Sequence, residues 1–87
     1  MNLIVLKKGM DCPEVGDWQS FLRGLNLYWG KVDDDFGTMT HDATERFQKR
    51  YRLKPIDGVV GNLTWGKAIM LGFDIALIQE DNYYPPK

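Results

Sequence analysis

The residues of this chain best suited to chemistry are an acidic run, Asp33-Asp34-Asp35, a single histidine, His41, followed by Asp42 and Glu45, and a single cysteine, Cys12. The acidic run lacks the alternating ligands and the distant glutamate of a calcium loop, so its aspartates are expected to make turns and cap amides. His41 and Glu45 stand one helical turn apart, but Asp42 is expected to point off that face, and two ligands do not complete a metal site. Cys12 and His41 would need an oriented third group and an oxyanion pocket to act as nucleophile and base, and nothing in the sequence supplies either. Cleaving a glycosidic bond needs two carboxylates at a set separation, one of them with a pKa raised by burial. The 12 acidic residues offer the carboxylates but no walled cleft in which to desolvate one. No catalytic residue, metal or cofactor is expected.

Those residues must be positioned by a chain of only 87 residues, which buries about 60 to 65% of the surface its unfolded form exposes. Its apolar residues, 44% of the total with three Trp, four Tyr and four Phe, are therefore mostly committed to one core. Eleven basic against 12 acidic residues give a net charge of −1, which argues against a nucleic-acid binder held by phosphate contacts. One cysteine excludes an internal disulfide framework and any multi-cysteine zinc site. Leu3-Ile4-Val5-Leu6 is too short for the apolar core of a signal peptide, has no basic residue before it, and no run approaches membrane-spanning length. The expectation is a soluble, monomeric chain without membrane or nucleic-acid partners, made in the cytoplasm or cut from a longer protein.

The organising feature is a statement made twice. Asp33-Asp34-Asp35-Phe36-Gly37-Thr38-Met39-Thr40 returns further along the chain as Asp57-Gly58-Val59-Val60-Gly61-Asn62-Leu63-Thr64. Each is an aspartate-led turn that drops an apolar side chain inward, then a glycine, then a helix start. With Gly37 and Gly61 as N-caps, Thr40 and Thr64 fall at the third helical position, where a hydroxyl can reach back as a capping-box side chain does. Thr38 could cap the earlier of these two helices instead.

Around these joints the pattern reads as three helices. The opening Leu3 to Leu6 is a short extended arm pressed on the core, broken by Lys7-Lys8-Gly9. Asp11 caps a first helix over 13–26, with Pro13 and Glu14 in its first turn and Val15, Trp18, Leu22 and Leu25 on one stripe. Leu27 to Gly37 is a loop with an exposed-looking aromatic pair, Tyr28-Trp29. A second helix over 38–52 aligns Ala43, Phe47 and Tyr51, with Asp42–Arg46 and Glu45–Lys49 as ion pairs on its outer side. A third, over 62–72, buries Trp65, Ala68 and Ile69, with Leu71 as a further candidate, and ends at Gly72. Residues 73–78 are apolar without clear period and their form stays open, an extended segment being one candidate. Residues 79–87, ending Tyr83-Tyr84-Pro85-Pro86-Lys87, read as a stiff tether after a domain over 1–78.

Taken together these motifs resemble the three-helix peptidoglycan-binding domain found at the ends of bacterial and phage cell-wall hydrolases. The likeness runs through Leu6-Lys7-Lys8-Gly9, Glu14-Val15 with Trp18-Gln19 and Leu22, then Asp33 with Phe36-Gly37 and Thr40. It continues through Ala43, Phe47-Gln48, Leu53, Asp57-Gly58-Val59-Val60-Gly61 and Thr64-Trp65. Departures fall at Asn26, Asp34 and Arg52, where the family usually has glycine. Asn and Asp tolerate left-handed backbone, and only Arg52 is awkward there.

The resemblance implies an all-α, three-helix bundle that binds peptidoglycan, through its glycan strand or its stem peptide, without cutting it. It further implies a covalently linked catalytic domain after Lys87 and action at the cell wall or periplasm, with a phage lysin waiting in the cytoplasm as one form. The ligand surface is expected beside the two joints, at Asp35, Gly37, Thr38, Gly61 and Asn62, with Tyr28 and Trp29 as a sugar platform and Arg50 for a stem carboxylate. Two rivals belong to other classes. Metalloprotease pro-domains share the three-helix plan, but carry a downstream cysteine where this chain has one at the start of its first helix. A small hydrolase would have to use Cys12 or a carboxylate pair.

Overall fold

A computed structural model describes residues 3–77; the expected tether at 79–87 and the end of the domain lie outside the described residues. Three helices form the domain: α1 (Pro13–Gly24), α2 (Thr38–Arg50) and α3 (Asn62–Met70). Residues 75–77, where an extended segment was one candidate, make a single 3-10 turn. Phe73, just before it, is buried against Trp18, Phe21 and Trp65, and that contact turns the chain back onto the core.

One aromatic from each helix meets at the centre. Trp18 lies edge-on to both Phe47 and Trp65, with ring centroids 5.2 Å away in each case, an arrangement that sets the positive edge of one ring against the face of the next. Leu6, Val15, Leu22, Phe36, Ala43, Val60 and Ala68 fill the space around them. The N-terminal arm is pressed on this core as expected. Leu6 and Val60 exchange both backbone hydrogen bonds, and the indole N–H of Trp65 donates to the carbonyl of Ile4 at 2.6 Å.

All three helices end in the same way. The amide of Leu27 donates to Leu22 O, that of Leu53 to Gln48 O and that of Phe73 to Ala68 O, each closed by a left-handed residue just before the donor. This is the Schellman arrangement, with an apolar residue one place after the left-handed one. The left-handed residues are Asn26 (φ 62), Arg52 (φ 57) and Gly72 (φ 114). With Asp34 (φ 65), the three departures from the family pattern are the three non-glycine residues with positive φ among the described residues. Because the backbone turns left-handed at Asn26 and Arg52, α1 and α2 stop just short of the expected bounds.

Three local expectations are corrected. Cys12, not Asp11, is the N-cap of α1, and no side chain caps it; Asp11 pairs by its backbone with Asp35. The pairs Asp42–Arg46 and Glu45–Lys49 are absent: Arg46 turns instead to Leu27 O and the ring of Trp29, and the Glu45 carboxylate lies 3.5 Å from His41 Nε2. Leu71 is exposed, since it is the C-cap of α3 and follows the last core-facing turn.

Arg52 pays for left-handed geometry that glycine takes without a Cβ clash, at about 1–2 kcal/mol for an L residue against a smaller entropic cost of glycine in the unfolded chain. Arg52→Gly should therefore raise the unfolding free energy by about 0.5–1 kcal/mol in urea titration. No gain would mean that this turn is not under strain.

Candidate ligand-binding site

Both joints are held by a buried glutamine reaching out of the preceding helix. On α1, Gln19 is fully buried; its Oε1 accepts the amides of Asp33 and Asp34, at 3.0 and 3.1 Å. Its Nε2 donates to Asp33 Oδ1, Asp35 O and Thr40 Oγ1. On α2, Gln48 does the same at the second joint, accepting from Asp57 and Gly58 and donating to Asp57 Oδ1, Val59 O and Thr64 Oγ1. With two amides on one side and three oxygens on the other, the orientation of each carboxamide is fixed by its surroundings. The threonine hydroxyls are thus acceptors for glutamine rather than capping-box side chains. Thr38 is the first residue of α2, and Gly37 and Gly61 are the N-caps.

Beside each joint lies an open groove. The first, about 260 Å³, is lined by Tyr28, Lys31, Asp33, Asp35 and residues 37–40. The second, about 200 Å³, is lined by Lys54, Pro55, Asp57, Val59 and residues 61–64 among others. Neither helix N-terminus is capped by a side chain, and neither has an acidic residue in its first turn. Their first-turn amides and the positive end of the dipole are therefore left to whatever fills the groove.

Of the expected ligand residues, Asp35, Gly37 and Thr38 line the first groove and Gly61 and Asn62 the second. The aromatic pair divides. Tyr28 is buried (4% exposed), its hydroxyl donating to Lys31 O, so it forms part of a groove wall and offers no free ring face. Trp29 is 61% exposed; its indole N–H donates to Asn26 Oδ1, and the Arg46 guanidinium lies 4.5 Å from its ring centroid. It is an exposed ring anchored at its edge and on one face, and it lines neither groove. Arg50 donates to Leu25 O at 3.4 Å and is likewise outside both grooves.

His41, Asp42 and Glu45 bring one possible ligand atom each within 4.8 Å of one another, so Asp42 does not point away as expected. Its side chain is exposed, while the His41 ring packs where a Cβ on Gly58 would stand. Burial pushes the Cys12 thiol up, the opposite of what a nucleophilic thiolate needs. Sequence reasoning missed the clasping role of Gln19 and Gln48, and also Lys31, Lys54, Met39 and Leu63. The recurrence of an aromatic-Gln pair, Trp18-Gln19 and Phe47-Gln48, was the available signal for the clasps.

Comparisons with known proteins show which family carries this fold. A model of the peptidoglycan binding domain family matches residues 12–67, more than half of the chain. The chain belongs to that family. Over 60 residues it is 38% identical to a spore cortex-lytic enzyme of Bacillus cereus and 35% identical to one of Bacillus subtilis, 69% of this chain in both cases. Those stretches are 23% and 20% of the enzymes, so the chain spans less than a quarter of these curated relatives. The crystal structure of the SleB N-terminal domain superposes with a TM-score of 0.74 at 34% identity, over 78% of this chain and 92% of that one. A peptidoglycan-binding protein of Clostridioides difficile, solved in complex with glutamine hydroxamate, gives 0.69 at 38% identity, over 75% of this chain and 40% of that one.

Two carboxylates near the first joint shift in opposite directions. The Asp35 amide, and then Gln19, hold Asp33 below the usual range; burial, and then the Glu14 and Asp34 charges, push Asp17 up. Asp33 adds stability above its ordinary value of about 3.9, and that contribution is lost as pH falls through its lower folded pKa. Asp17 costs stability while ionised, and the cost fades as pH falls through its raised folded pKa. In thermal melts, Asp17→Asn should raise Tm at pH 7, and Asp33→Asn, which keeps an acceptor oxygen, should flatten the decline below about pH 4.

Proposed function

We propose that this chain grips bacterial peptidoglycan without cleaving it and holds a covalently joined hydrolase at the wall. The observation that carries this reading is the pair of uncapped helix N-termini, each opening into a groove at an identically clasped joint. Such amides suit the carboxylates and acetamido carbonyls of the polymer, with Trp29 as a separate apolar plate for a sugar face. The glutamine hydroxamate complex of the Clostridioides difficile relative is in keeping with an amino-acid-like ligand.

A binding role also accords with the acid chemistry. Among the described residues the carboxyl with a raised pKa is Asp17, which lines neither groove, whereas glycosidic cleavage needs a raised acid facing the substrate. The pro-segment alternative needs a thiol that ligates metal as thiolate, and burial of Cys12 works against that. Tethering turns a second encounter into an intramolecular one, so a weak module still improves action on an insoluble polymer. The setting is the bacterial wall, reached either as a domain of a secreted enzyme or as part of a phage lysin stored in the cytoplasm.

Incubating the 87-residue chain with labelled sacculi tests the reading. The expected result is retention in the pellet with no release of soluble label, and retention weakened by about 3–10-fold in Trp29→Ala, the equivalent of roughly 1 kcal/mol for an exposed ring contact. Soluble fragments would make it an enzyme, and an intact chain left in the supernatant would end the proposal.

A further inference from the structure

We propose that His41, Asp42 and Glu45 bind one divalent cation of the zinc class, which locks the outer surface of α2 onto the second joint. This goes beyond the wall-binding reading and does not depend on it.

Each of the three side chains offers one ligand atom, and these atoms all lie within 4.8 Å of one another. The helix brings them together: Glu45 stands four residues after His41 and three after Asp42, the two separations that make neighbours on a helical surface. His41 Nε2 and Glu45 Oε2 are already 3.5 Å apart. Zinc bonds of about 2.0–2.2 Å at tetrahedral angles set adjacent donors roughly 3.3–3.6 Å apart, so this edge of the site needs no rearrangement. Asp42 is exposed, and rotation of its side chain can close the rest of the triangle.

The charges around these ligands give an independent reason. Helical spacing offers Arg46 to Asp42, but that guanidinium donates to Leu27 O and lies over the Trp29 ring. Among the described residues neither carboxylate is paired with a lysine or arginine; the contact present is that of Glu45 with His41, which attracts only when the imidazole is protonated. With a neutral imidazole the cluster carries two negative charges and no cationic side chain. A divalent ion supplies the missing charge in full.

The imidazole is also held in place. A Cβ on Gly58 would overlap Cε1 and Nδ1 of His41, so the ring occupies space that a glycine leaves open. The Gly58 amide in turn donates to Gln48 Oε1. An ion on His41 would therefore fix from outside the same turn that Gln48 clasps from inside.

The donor set selects the metal. One imidazole nitrogen with two carboxylates suits zinc, nickel or copper, whereas calcium and magnesium take oxygen ligands alone. Three protein ligands leave a fourth position to water, and the partly exposed His41 and Glu45 side chains give the ion a way in.

The test titrates the 87-residue chain with zinc chloride, following heat by calorimetry and the imidazole nitrogens by NMR; His41 is the sole histidine, so its signals are unambiguous. One zinc per chain and a shift of the imidazole nitrogen resonances are expected, with no such response to magnesium. His41→Gln and Glu45→Gln should each weaken zinc binding at least tenfold, Asp42→Asn should weaken it less, and Cys12→Ser should leave it unchanged. Zinc at about ten times its dissociation constant should raise Tm by about 5–10 °C in the parent chain and not in His41→Gln. Imidazole resonances that stay put, binding lost in Cys12→Ser, or an equal response to magnesium would overturn the site. None of these readouts uses the wall polymer, so failure here leaves the binding role to be judged by sacculus retention alone.

Discussion

A buried carboxamide with every hydrogen-bonding position occupied is the constraint on which the domain depends. Gln19 and Gln48 each lie in the core, where an unpaired amide would cost about 1–3 kcal/mol per group. Each avoids that cost only if an aspartate-led turn presents two amides on one side and a carboxylate, a carbonyl and a hydroxyl on the other. The glutamine thereby dictates the path of the turn, and the turn dictates where the next helix starts. The position of Gly37 and Gly61, and hence the uncapped amides facing the grooves, follows from that satisfaction requirement rather than from any preference of glycine alone.

The aromatic centre and the glutamine clasps are neighbours on the same helices. Trp18 precedes Gln19 and Phe47 precedes Gln48, so a helix cannot turn its ring into the core without also aiming its amide at the joint. Packing and hydrogen bonding thus select the same rotation of α1 and of α2. This agreement between levels allows a small core to specify one arrangement.

Much of this was legible in the sequence, for identifiable reasons. Helical spacing of Val15, Trp18 and Leu22, and of Ala43 and Phe47, fixed the core faces, and the duplicated aspartate-glycine-threonine pattern located both joints. The position of the two grooves followed from those joints. Features that depend on where a flexible side chain finds its partner were not legible. Tyr28 and Trp29 are adjacent and chemically alike, yet one ring is drawn in by Lys31 O while the other lies outside under Arg46. Arg46 could have paired with Asp42 one turn away; a carbonyl and a ring on a distant loop compete for it, and periodicity carries no information about such contacts. Local spacing points the threonine hydroxyls at their own helix caps, whereas the glutamines that take them come from 21 and 16 residues earlier in the chain.

The middle helix plays two parts: its first turn is the client of Gln19, and its last turns supply Gln48. α3 brings its own core aromatic, Trp65, but the residue after it is Gly66, which has no side chain to reach toward a later turn. The series is therefore finite, two overlapping units sharing a central member. Neither unit can be excised as an autonomous piece, because removing either would strip α2 of its incoming or its outgoing partner. The smallest heritable building block of this architecture is the whole trio, and any enlargement by duplication would have to copy all three helices at once.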